Sequence, residues 1–301
     1  MHRRLRAIAA SALVCAAFAA CAAPASTPPA ASPLAARSGA RVIEPHWTKV
    51  SIGRFADPYG VAVDASGTLY VADPGSKSVY RIPPGGSREV IGDFSIAVGS
   101  KFDPQGVSIA PSGYLAYVAD RGSRSVWFVK ADQTVGVVHG PPSQSSHYPR
   151  GVAYGAGASN GVYVGIVTTT PLSSKGAVRC VALSCPILGA REFENPYGVA
   201  ADDRGNVYVA DAGAKQVFRI DASGTKSIGR FADPYGVAVT PDGSDVYVAD
   251  AGAKKVFAGK PDGSSWTEIG TFGDPYGVAA DARGDVYVAD PGTKDVWKLT
   301  R

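Results

Sequence analysis

The chain has 301 residues, with 30 Lys and Arg against 26 Asp and Glu and a net charge of +4. Three of the arginines fall within the first six residues, and the first twenty hold no acid, so the rest carries 27 basic and 26 acidic residues. So small an excess excludes a protein that holds nucleic acid on a basic face. The absence of long amphipathic helical patterns excludes a helical bundle.

Met1-His-Arg-Arg-Leu-Arg6 is basic and Ala7 to Ala20 is apolar and alanine-rich, the two regions of an export signal in residues 1–20. The apolar run is too short for a spanning helix. Phe18-Ala-Ala-Cys21 resembles a lipobox, the lipidation site of bacterial lipoproteins, with Phe18 in the place usually held by Leu. Cys21 is the expected lipid-bearing first residue. Cleavage after Ala23-Pro-Ala25, leaving Ser26 first, is the alternative and gives a soluble periplasmic protein. Residues 21–40 then form an anchor and an Ala/Pro/Ser tether without periodicity. The resemblance to lipoproteins extends to sorting: Ala22 stands where inner-membrane retention uses Asp, so the outer membrane is the expected destination.

Residues 41–301 are organised by one stretch, Asp274-Pro-Tyr-Gly to Val-Tyr-Val-Ala-Asp290, which recurs at Asp57 to Asp73, Asn195 to Asp211 and Asp233 to Asp250. Asp103 to Asp120 is looser, and Tyr148 to Gly165 lacks the final Asp. The anchor glycines Gly60, Gly106, Gly151, Gly198, Gly236 and Gly277 are spaced by 46, 45, 47, 38 and 41 residues. Each copy reads as short β-branched runs separated by turns, such as Gly60-Val-Ala-Val-Asp64, Leu69-Tyr-Val-Ala72, Val79-Tyr-Arg-Ile82 and Arg88-Glu-Val-Ile91. Four such strands per repeat of this length describe a propeller blade.

The pattern Pro-x-Gly-Val-Ala-x-x-x-x-Gly-x-Val-Tyr-Val-Ala-Asp resembles the NHL repeat, and the resemblance covers about residues 47 to 301. It implies an all-β, six-bladed β-propeller of NHL-like repeats. Trp47-Thr-Lys-Val-Ser-Ile-Gly-Arg-Phe55 matches Thr225-Lys-Ser-Ile-Gly-Arg-Phe231. An N-terminal strand completing the last blade is therefore expected to close the ring, leaving no unpaired inner edge.

Cys180 and Cys185 are the two cysteines left after Cys21, and so close a pair in an exported protein is expected to form a disulfide. No His or second Cys pair lies near them, which argues against a metal site.

The residue between Pro and Gly in each repeat is expected at the channel mouth: Tyr59, Gln105, Arg150, Tyr197, Tyr235 and Tyr276. The turn after the second strand opens on the same face and brings Lys77, Arg121, Arg124, Lys215, Lys254 and Lys294. Aromatic faces suit sugars and peptides, and surrounding cations favour an anionic ligand. The tyrosines equally suit a plug of the axis, with the lysines as solvated turn residues.

The repeated Asp73, Asp120, Asp211, Asp250 and Asp290 each precede a Gly-containing turn, where a short carboxylate accepts backbone N–H groups. That reading stands ahead of a metal site. Among the histidines, His147 lies close to Arg150 and joins the candidate binding residues. Blade three also has an irregular tail, Ile166 to Leu188, and exceptions in a repeat protein mark capping or function.

Two classes of function follow. The first is a monomeric, non-catalytic, envelope-anchored scaffold that binds an envelope protein or a small anionic or carbohydrate-like ligand, with no cofactor, no metal and no catalytic residue. The second is an enzyme, since six-bladed relatives include lactone hydrolases and the streptogramin lyases have a similar propeller. The mouth positions lack the Glu, Asn, Asp or His that metal-dependent members need, and no Gly-x-Ser-x-Gly pattern is present, which favours the scaffold.

Overall fold

A computed structural model describes residues 46–95, 98–110, 113, 115–139, 147–155, 161–168, 176–180, 187–188 and 193–301. The lipobox, Cys21, the tether and Cys185 lie outside the described residues. Among those described, the strands form six four-stranded antiparallel sheets, and the protein is an all-β β-propeller. Sheet one comprises Gly60–Val63, Leu69–Asp73, Ser78–Ile82 and Glu89–Val90. Sheet two is Pro104–Ile109, Leu115–Asp120, Ser125–Lys130 and Val135–His139. Sheet three is His147–Gly155, Gly161–Thr168, Gly176–Cys180 and Ile187–Leu188. Sheet four is Pro196–Ala201, Val207–Asp211, Gln216–Asp221 and Gly224–Arg230. Sheet five is Pro234–Val239, Val246–Asp250, Lys255–Gly259 and Trp266–Thr271. Sheet six is Gly277–Ala280, Val286–Asp290 and Asp295–Thr300, with Thr48–Arg54 as its outer strand.

The second strands of sheets one, two, four, five and six are buried on both faces, because each sheet packs between two others; Val-Tyr-Val-Ala-Asp is fully buried in sheets four, five and six. Each apolar cluster therefore straddles a seam. Val71 of sheet one meets Ala289 and Val296 of sheet six. Val79 meets Val118 of sheet two, and Val126 meets Val152 and Val162 of sheet three. Tyr163 then meets Val209, Val217 meets Val248, and Val256 meets Val288, which returns to sheet six.

Thr48–Arg54 runs antiparallel to Asp295–Thr300, with Thr48 opposite Thr300 and Arg54 opposite Asp295. Its register slips once, leaving Ile52 as the extra residue, as the outer strands of sheets four and five leave Ile228 and Ile269. The three equivalent isoleucines differ in burial: 4% exposed at Ile228, 6% at Ile269 and 37% at Ile52. Trp266 of the following sheet packs with Ile228 and donates its indole N–H to that residue's carbonyl at 3.0 Å. Trp47 packs against the cluster that holds Ile269. Sheet one carries Pro83-Pro-Gly-Gly86 there instead, and Ile52 borders a cavity of about 440 Å³.

Candidate functional site at the channel mouth

The anchor glycines set the geometry of the axis. A Cβ on Gly236 would sit 2.2 Å from the carbonyl oxygen of Tyr276, and one on Gly277 2.3 Å from that of Tyr59. The same contact runs from Gly106 to Arg150, from Gly151 to Tyr197 and from Gly198 to Tyr235, while Gly60 meets the backbone at Gln105 and Gly106. Only glycine lets the first strands approach so closely.

In sheets two to five the first strand slips out of register at or beside the residue before the glycine, while in sheets one and six the strand starts at the glycine itself. Pro104 and Gly106 pair with Asp120 and Ala119, leaving Gln105 unpaired, and Pro234 and Gly236 leave Tyr235 so. Sheets three and four slip between Pro149 and Val152 and between Pro196 and Val199. Such a bulge re-aims a side chain. All six mouth residues line one opening, together with their Gly-Val neighbours, around a cavity of only about 80 Å³. The opposite end of the channel is lined by Val, Ala, Ser, Ile and Tyr and encloses about 160 Å³.

The four tyrosines form a contiguous, partly exposed surface. Ring centroids lie 4.6 Å apart for Tyr59–Tyr276, 4.3 Å for Tyr235–Tyr276 and 4.4 Å for Tyr197–Tyr235. The Arg150 guanidinium lies over the Tyr197 ring at 4.6 Å, a cation–π contact. Gln105 is 8% exposed and donates its amide to Asp103 at 2.8 Å. His147 starts the first strand of sheet three, opposite Thr168.

The basic turn residues have the left-handed backbone, with φ of 53° at Lys77, 61° at Arg124, 56° at Lys215, 58° at Lys254 and 60° at Lys294. The carbonyls of Lys215, Lys254 and Lys294 accept the N–H of Phe231, Phe272 and Phe55 at 3.0, 2.9 and 2.8 Å. Lys77 donates to the Ser100 carbonyl at 2.7 Å. The conformation thus belongs to the joint between one sheet and the next.

The repeated Asp is the other half of that joint. Asp250 is 1% exposed and accepts the N–H groups of Ala232, Asp233 and Ala253 at 2.8, 2.7 and 3.1 Å. Asp73 accepts those of Ala56 and Asp57, Asp211 those of Glu194 and Asn195, and Asp290 those of Gly273 and Asp274. Asp120 accepts the N–H of Asp103 at 2.7 Å. These carboxylates clamp the entry to the first strands of sheets one, two, four, five and six. Among the described residues no group of His, Cys, Asp and Glu is arranged to hold a metal.

Sequence reading missed the acids that precede proline. Asp57, Asp103, Asp233 and Asp274 lie beside the tyrosines, and the repeated Asp-Pro was visible but served only to mark the phase of the repeat. Burial, and then the negative charge of Asp73, Asp250 and Asp290 respectively, raises the Asp57, Asp233 and Asp274 carboxyls above their usual range. Lys294, Lys215 and Lys254 oppose this from the neighbouring turns. The lysines therefore face an inner set of carboxylates as well as solvent.

Three of the mouth phenols, Tyr59, Tyr235 and Tyr276, titrate late. Burial, followed by Tyr197 and Asp233, pushes Tyr235 up to about 12. Burial, followed by Tyr235, raises Tyr276 further, and burial with Asp57 raises Tyr59. A phenol raised in the folded state adds stability that is whole below the unfolded value near 10 and lost as pH climbs through the folded value. Absorbance at 295 nm is expected to show Tyr235 and Tyr276 still protonated at pH 11, with stability falling between pH 10 and about 12. Simultaneous titration of all tyrosines near pH 10 in the folded protein would contradict this.

No family model matches the chain, and no curated protein matches it. Solved structures do. A virginiamycin B lyase from Staphylococcus aureus superposes with a TM-score of 0.63 at 12% identity, over 85% of this chain and 99% of that one. A gluconolactonase from Xanthomonas campestris gives 0.68 at 15% identity, over 83% and 88% of the two chains. A Bacteroides thetaiotaomicron protein of unknown function gives 0.65 at 16% identity, over 84% and 72%. At these identities the likeness is one of fold: the protein is similar to β-propellers that include both lyases and lactonases.

Proposed function

We propose that the protein is an envelope-anchored binding scaffold whose working surface is the tyrosine-lined channel mouth, built on a six-bladed, NHL-type ring closed by the N-terminal strand. The six four-stranded sheets and the pairing of Thr48–Arg54 with Asp295–Thr300 support the ring. The lipobox-like Phe18-Ala-Ala-Cys21 and the tether behind it support anchoring at the outer membrane, with a soluble periplasmic form as the alternative. The observation that carries the binding reading is the run of four tyrosine rings, each 4.3 to 4.6 Å from the next, partly exposed at the mouth. Rigid aromatic faces with polar tips supply large contact area at little entropic cost.

A second reading, catalysis of the lactonase or streptogramin-lyase kind, is favoured by the solved neighbours. One experiment separates the two. The purified protein is incubated with gluconolactone and with a type B streptogramin, and envelope extract is passed over the immobilised protein. Retention of an envelope component without turnover supports the scaffold. Turnover that disappears in a Tyr235→Ala variant replaces it with the enzyme.

A further inference from the structure

The mouth is electrically lopsided, and the asymmetry is written into the repeat. The position before proline is acidic in sheets one, two, five and six: Asp57, Asp103, Asp233 and Asp274. In sheets three and four it is neutral, Tyr148 and Asn195. Arg150 stands at the mouth between those two neutral positions. A second guanidinium, Arg124, donates to the Tyr148 hydroxyl at 3.2 Å and lies 5.0 Å from its ring.

Arg150 itself is incompletely satisfied. Its Nε is buried with no hydrogen-bond partner, while the guanidinium lies 4.6 Å over the Tyr197 ring. A buried N–H without an acceptor is rare and calls for one. The acid of the neighbouring sheet does not supply it: Asp103 is engaged by Arg121 at 3.6 Å and by the Gln105 amide at 2.8 Å. Among the described residues, the ion pairs do not include Arg150. The result is a planar fork of donors seated over Tyr197, beside a stepped tyrosine shelf in which Tyr197, Tyr235, Tyr276 and Tyr59 meet in turn at 76°, 21° and 52°.

We infer that the mouth takes a carboxylate joined to a flat apolar body, with the carboxylate on Arg150 and the body on the tyrosine shelf. A guanidinium receives a carboxylate through paired N–H donors, which a sugar hydroxyl does not reproduce. The acids of sheets five, six and one repel an anion from the rest of the mouth, so one orientation is selected. Free aromatic acids and peptides ending in an aromatic residue share this chemistry. The inference rests on the mouth being the binding surface.

The test uses the full mature chain, ¹⁵N-labelled, titrated with N-acetyl-L-phenylalanine, its carboxamide, the peptide Ala-Ala-Ala-Phe and its C-terminal amide. The readouts are the arginine Nε–H and tyrosine ring resonances. Each acid is expected to bind about ten-fold tighter than its amide, the worth of one charge-assisted pair, and to move the Arg150 Nε–H signal. A better peptide points to a chain terminus as the natural ligand, and a better single amino acid to a free acid. Arg150→Gln should erase the acid preference with melting unchanged, and Arg150→Lys should keep part of it. If acid and amide bind equally and both perturb the tyrosines, the carboxylate subsite falls while the mouth reading stands. A preference that survives Arg150→Gln, or failure of all four probes to bind at millimolar concentration, also overturns the subsite. An acid preference with undisturbed tyrosine rings would overturn both.

Discussion

Deleting residues 46–55 is expected to destabilise the propeller by on the order of 5 kcal/mol or more, a large share of a domain's total stability. The segment supplies the whole outer strand of sheet six, paired from Thr48 to Arg54 with Asp295–Thr300. It also supplies Phe55, 7% exposed in the cluster between sheets six and one, and Trp47, which packs against the cluster between sheets five and six. Lys49 would be lost as well, with its ammonium 3.9 Å from the Phe272 ring and 4.1 Å from that of Trp297. The truncation leaves two seams underpacked and Asp295–Thr300 as an exposed edge open to pairing with another chain. Differential scanning calorimetry checks this against a truncation of residues 22–40, which is expected to melt like the full chain. Equal melting of the two truncations would contradict the role given to the strand.

The second large effect is expected at the clamp. Asp250→Ala removes the acceptor of three backbone N–H groups from a site 1% exposed. Leaving buried donors unsatisfied costs roughly 1–3 kcal/mol each, so the variant should lose on the order of 3–5 kcal/mol, allowing for relaxation and water entry. Urea denaturation measures it. Asp242→Ala is the comparison, since that carboxylate accepts the Ser244 N–H on an exposed turn and its loss should cost less than about 1 kcal/mol. A midpoint for Asp250→Ala close to that of Asp242→Ala would show that the repeated Asp does not hold the joint.

Much of the architecture was legible because the repeat states its own physics. Gly-Val-Ala marks a first strand so crowded at the axis that Gly236 tolerates no Cβ, and Val-Tyr-Val-Ala-Asp marks a second strand buried on both faces. The candidate mouth residues were legible for the same reason, since a fixed place in the repeat becomes a fixed place on the axis. What lay beyond the sequence was pairwise. Ile52, Ile228 and Ile269 share one motif, yet Ile52 alone of the three is exposed, because burial there depends on the outer strand of another repeat. The acids before proline read as punctuation until the fold set them beside the tyrosines. Gln105 read as a mouth residue and lines the mouth, where its amide is held by Asp103. The tail of the third repeat gave no clear strand pattern, and beyond Thr168 the described strands there are Gly176–Cys180 and Ile187–Leu188.

The claim that the tyrosines form a working surface rather than an axial plug is tested most directly at Tyr235, which touches both Tyr197 and Tyr276. Binding of the retained envelope component and melting temperature are measured side by side for the wild type and Tyr235→Ala. A surface tyrosine that anchors a ligand should lose at least about ten-fold in binding, with melting shifted by no more than a few degrees. Undiminished binding with melting lowered by about ten degrees or more would mean that the ring of tyrosines only fills the channel.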